Sequence, residues 1–196
     1  MPNSFKVKPK PNYEDEFKSV NEVIDHYLDN DNENVLQELR DIRSITLRDV
    51  ILIYGKGKDI DGRHLDHFRK IRTNSLRQAS KELIGIIELI RDCGNFQEVF
   101  ELLNKKIKIF GIGEMYLYDI SFYLSARLGF KPKHIYMHRG TREGAKYLGL
   151  DIRREFIPKE EFEKLEKGFK KINAYDIENL LCSYKTILKN FKKVRR

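Results

Sequence analysis

Residues 99–128 read VFELLNKKIKIFGIGEMYLYDISFYLSARL, and this stretch decides the fold. Its first part places Val99, Phe100, Leu102 and Leu103 at helical spacing, with Phe96 one turn earlier and Asn95 as N-cap. Its last part, Glu114 to Leu128, is an aromatic helix that Gly129 ends. Between them stands Gly111-Ile112-Gly113. Two glycines let the backbone turn tightly while Ile112 plugs the angle between the helices. Without side chains at 111 and 113, the amides of the turn and of the next helix can approach an anion. With the positive end of the helix dipole they make a phosphate site, and Lys105, Lys106 and Lys108 lie just before it. The competing structural reading is an ordinary tight hairpin of two helices.

Outward from the hairpin the pattern stays helical. Upstream, Phe17, Val20, Val23, Ile24, Tyr27 and Leu28 share one helix face, and Asp31 or Asn32 caps a second helix buried through Val35, Leu36, Leu39 and Ile42. Thr46 starts a short third helix, Leu47 to Ile53, which Gly55-Lys-Gly57 ends. A polar loop, 55–63, precedes a helical stretch at 64–71 and a long helix at 75–92 with Leu76, Ala79, Leu83, Ile86, Ile87 and Ile90 inward. Downstream follow a short helix from Thr141 to Leu148, a polar helix near 159–170 and a last amphipathic one from Tyr175 to about Phe191. Strand-like alternation occurs only at Lys106–Phe110, too briefly for a sheet. The expected fold is therefore all-α, a helical bundle containing a helix-hairpin-helix at about 95–150. Residues 14–196 read as a single all-helical domain behind a disordered, proline- and lysine-bearing lead at 1–13.

The 196 residues carry 35% charged side chains and a net charge of +8, with 40% apolar residues to build a core. No apolar run is long enough to cross a membrane, and the N-terminus has no apolar signal segment, which points to the cytoplasm. Two cysteines, Cys93 and Cys182, are too few for a four-cysteine zinc or iron–sulfur site and suit a reducing compartment. Ten acids against Lys18 and Arg40 fall within 14–41, so the remainder of the chain holds +16. That excess gathers in three places: Arg63, Arg69, Lys70, Arg72 and Arg77; the three hairpin lysines; and 131–154, which includes Arg139 and Arg142. A basic side opposite an acidic end points to a polyanion as partner. His64-x-x-His67 could ligate a metal, but no third ligand stands nearby and the surrounding arginines oppose a cation. A phosphate-facing basic helix is the better reading there. No metal and no cofactor are expected.

The hairpin resembles the helix-hairpin-helix of the DNA glycosylase superfamily, whose turn reads approximately LPGVG. The resemblance continues downstream, where those enzymes carry PVDTHVxRVxxRLGL; here Tyr136 to Leu150 read YMHRGTREGAKYLGL. The shared ending at Leu148-Gly-Leu150 sets the register and puts His138 at the position of the family's catalytic Asp. Met115 stands where bifunctional members carry a Schiff-base lysine, and the four-cysteine cluster loop is absent. The pattern GIGE…YD…HxGTRxGAKxLGL is also similar to that of a group of bacterial proteins, which implies shared architecture. The resemblance thus implies backbone contact with DNA, in a DNA-repair setting, without the family's standard chemistry. An imidazole supplies no negative charge for an oxocarbenium-like centre, and a methionine forms no Schiff base.

Two further classes stay open. The first is an active glycosylase or lyase whose acid–base groups have moved to Glu114, Asp119 or His138. Asp119 is the only charged residue between Met115 and Ala126, so it needs a partner, for which His138, Arg139 and Arg142 are the candidates. Alternatively, it merely holds the 136–142 loop. The second is a protein-partner module that uses the acidic 14–41 segment. The binding reading assigns phosphate contact to Gly111, Ile112 and Gly113, extended by Lys105, Lys106, Lys108, Arg63, Arg69, Lys70, Arg72, Arg139 and Arg142.

Overall fold

In the computed structural model, which describes residues 17–191, helices dominate. In chain order they are α1 (Val20–Asn30), α2 (Asn32–Ser44), α3 (Leu47–Ile53), α4 (Thr73–Gly85), α5 (Ile87–Arg91), α6 (Phe96–Lys106), α7 (Glu114–Leu128), α8 (Arg139–Tyr147), α9 (Lys159–Leu165), α10 (Ala174–Ser183) and α11 (Lys185–Phe191). The lead expected at 1–13 and residues 192–196 lie outside the described residues. No helix among the described residues is long and apolar enough to cross a membrane.

Local chemistry explains where the helices begin. Ser19 accepts from the Glu22 amide at the head of α1, and Asn95 accepts from Glu98 at α6, as its position in the sequence implied. Thr46 and Asp49 close a reciprocal capping box at α3, and Asn173 and Asp176 form another at α10. Asp31 joins α1 to α2 with helical backbone and no side-chain cap, so the two helices nearly run together.

Several expected boundaries shift. The helix expected over 75–92 breaks at Gly85–Ile86 into α4 and α5, where a glycine weakens the helix and Ile86 leaves helical geometry. The 64–71 stretch makes only a single 3-10 turn, Asp66–Phe68, and the last helix is interrupted at Tyr184. Leu36, expected inward, is exposed. The all-helical expectation needs one amendment: β1 (His134–Tyr136) and β2 (Phe156–Pro158) pair antiparallel, with Ile135 opposite Ile157. Each strand has three residues, too few for an alternating pattern to show in the sequence.

The buried side chains form two clusters. One is built on α3, α4, α6 and α7, with Val50, Leu83, Val99, Leu103 and Leu124 fully enclosed. The other joins α1, α8, α9, α10 and α11 to the strand pair through Ile24, Ile135, Phe162, Leu180 and Leu188. Within it α8 lies close on α10, so close that a Cβ on Gly144 would strike the Leu181 backbone carbonyl. The two clusters meet along α7 and α10. There Phe122 and Tyr175 stack with centroids 3.5 Å apart. This contact forms a seam between the two clusters.

Candidate functional site

The hairpin is built from α6, the linker Ile107–Gly113 and α7. Ile107 and Ile109 are buried and anchor the linker, while Lys108 and Phe110 alternate outward. Gly111 takes a left-handed backbone, φ +84°, open to a residue without a Cβ, and the Ile112 amide closes the turn onto the Ile109 carbonyl at 3.0 Å. Gly113 is the N-cap of α7, extended, with no side-chain cap hydrogen bond and open space where a Cβ would stand. The first α7 amides therefore face outward without a capping side chain. Leu117 is the residue whose amide reaches back to the Gly113 carbonyl.

Lys105, Lys106 and Lys108 are exposed next to this apex and Arg72 lines a cleft with Phe110; Arg69 and Lys70 are exposed on the Asp66–Phe68 side. The structure distributes the expected cationic residues unequally. Arg63 pairs with Asp61 at 3.2 Å and Arg69 with Asp66 at 2.8 Å, both at the surface, where such pairs are worth little. Arg142 donates to the Ile152 carbonyl at 3.0 Å and lies 3.8 Å from Glu114. It ties α8 to the head of α7. Arg139 is exposed at the start of α8. No protein-family profile, curated protein or solved structure matches the chain. Its chemistry stands on this geometry.

The second group of polar side chains lies in the seam. His138 stands, buried, at the N-cap position of α8 without capping it through its side chain; Nε2 lies against Glu178 Oε1 and 2.8 Å from Thr141 Oγ1, and Thr141 in turn donates to Glu178 at 3.1 Å. The side chains of His138 and Glu178 are 7% and 8% exposed. Burial opposes charging His138, but the hydrogen bond and the negative charge of Glu178 outweigh it and hold the imidazolium pKa above 6.5.

Asp119 does not pair with His138, Arg139 or Arg142, as its place in the sequence suggested. Its Oδ2 lies 3.4 Å from Nδ1 of His67, 52 residues earlier, which the Asp66–Phe68 turn brings against α7. His67 thus turns to a carboxylate, with its side chain still 57% exposed, in place of the expected phosphate-facing helix. The Asp119 side chain is only 14% exposed; burial raises its pKa, and the nearby Glu178 charge adds to that rise. Hydrogen bonding to Asp119 raises His67 in turn. Glu38, from the acidic segment, completes the set. Burial first, and the charge of Asp119 second, push it up to about 7, against the stabilising hydroxyl of Tyr123.

Sequence reasoning missed Glu178 and Glu38. Glu178 carried a signal, an acid among Ile177, Leu180 and Leu181 on an apolar stripe; Glu38 was lost among nine neighbouring acids. The clefts at the hairpin lie elsewhere. One is lined by Lys105, Lys108 and Glu114, another by Arg72, Asn74 and Phe110, and Asp119, His138 and Glu178 line neither.

Proposed function

We propose that the protein binds nucleic acid, with DNA as the expected form, by presenting the α6–α7 hairpin to the phosphate backbone in the manner of a glycosylase-like helix-hairpin-helix. The observation that supports this reading is the hairpin apex. Exposed Gly111 and Gly113 leave the outward amides of α7 unscreened beside three exposed lysines. Glu114 sits among them, but its neighbour Arg142 shares its charge.

Gly113→Val tests this directly. Gly113 has φ −109° and ψ −178°, which any residue adopts, and no atom within 4 Å of an added Cβ. The variant should fold. Its branched side chain screens the α7 amides, and losing two charge-assisted hydrogen bonds weakens duplex affinity by about tenfold or more. Fluorescence anisotropy measures it; an unchanged affinity in a folded variant makes the hairpin a structural corner only.

A second reading, acid–base chemistry in the seam, draws on one observation: Glu38 and Asp119 sit together with raised pKa values, as acid–base groups often do. Against it, His138 and Thr141 are already bound to Glu178 in a closed triad. The binding reading expects no base release from duplexes carrying uracil, oxidised purine or alkylated purine. Product formation that disappears in a folded Asp119→Asn variant would favour the second reading instead.

A further inference from the structure

Phe110 is the most exposed large apolar side chain among the described residues, at 85%. It does not belong to a loose loop. Its carbonyl accepts from Ser75 Oγ at 2.9 Å, Ile109 before it is buried, and Gly111 after it closes the turn. A pinned backbone thus holds one aromatic ring out in water at the tip of the hairpin. Beside the ring opens a cleft of about 380 Å³ lined by Ile109, Arg72, Thr73, Asn74, Ser75 and Gln78. An apolar ring face next to a guanidinium and two carboxamides is a particular chemistry. Aromatic planes stack on bases, and Arg, Asn and Gln match the donor and acceptor edges that bases present.

We propose that Phe110 and this cleft take an unpaired nucleobase, so that the protein prefers nucleic acid with an unstacked nucleotide over continuous duplex. The proposal rests on the phosphate-binding reading of the hairpin. Charge complementarity selects the occupant: Arg72 lines the cleft with Phe110, and exposed Lys108 stands two residues before it, which suits a base carried on a phosphate chain rather than an apolar protein face. A stacked ring also removes from water the apolar surface that this fold leaves uncovered.

The test uses the full chain and two labelled DNAs, one fully paired and one carrying a single bulged 2-aminopurine. Binding should change the fluorescence of the bulged probe, and the bulged DNA should bind more tightly than the paired one. Phe110→Ala should remove about tenfold of affinity for the bulged DNA and abolish the fluorescence change. Its affinity for the paired duplex should change less than twofold, with the melting temperature unaltered because the ring is exposed. Phe110→Tyr should retain the preference. Equal affinity for both DNAs, in wild type and Phe110→Ala alike, overturns the base-stacking proposal and leaves the phosphate reading standing. No binding to either DNA overturns both. Phe110-dependent binding to vesicles of anionic phospholipid, with DNA binding unaffected by Phe110→Ala, assigns the ring to a lipid surface and overturns the proposal.

Discussion

Glu178→Ala is expected to destabilise the protein by about 3–5 kcal/mol, a large effect for one side chain. The substitution leaves the His138 imidazole and the Thr141 hydroxyl buried between α8 and α10 without the carboxylate that satisfies both. Urea denaturation measures it. Glu178→Gln keeps the shape and an acceptor, so it should cost less and mainly alter the response to pH. The sign of that response follows from linkage. His138 is held above 6.5, so its contribution is fully present below 6.5 and is lost as pH rises through the raised value. Glu38, raised from 4.5 to about 7, binds its proton more tightly in the folded chain, so stability falls as pH climbs across that interval. Asp119 and His67 act in the same direction. The protein should therefore gain stability as pH falls from 8 towards 5. A stability maximum above pH 8 would contradict the seam as described.

The second large effect concerns binding. Replacing Lys105, Lys106 and Lys108 together by Gln should weaken duplex affinity by roughly a hundredfold at ~50 mM salt, and lower the salt slope by about one per lost phosphate contact. All three side chains are exposed, so melting should shift little. A variant as tight as the wild type would remove the hairpin ridge from the interface.

How much of this was legible depends on the range of the interactions. The hairpin could be read from residues 99–128 because its determinants are local: apolar spacing within each helix, two glycines, and Asn95 at the head of α6. Thr46 was readable for the same reason. The break at Gly85 was not, since the apolar period of Leu83, Ile86, Ile87 and Ile90 runs straight through it. Nor was the partner of Asp119. Sequence showed that an acid in so apolar a helix needs one, but proximity along the chain favoured the 138–142 loop, whereas tertiary packing delivers His67. The Glu178–His138 pair spans 40 residues and two helices, and only the close α8–α10 approach allowed by Gly144 brings it together. Phe110 ends the short Lys106–Phe110 alternation, whose apolar residues do not say which side is buried; its ring points into solvent because Ile107 and Ile109 take the buried side.

The central claim is that the cationic hairpin face engages a phosphate backbone, and the salt dependence of duplex affinity tests it most directly. With about five phosphates contacted, anisotropy titrations across ~50–200 mM salt should give a log–log slope near −4 to −5, largely independent of DNA sequence. No measurable binding at ~50 mM salt, or a slope near zero, would contradict it.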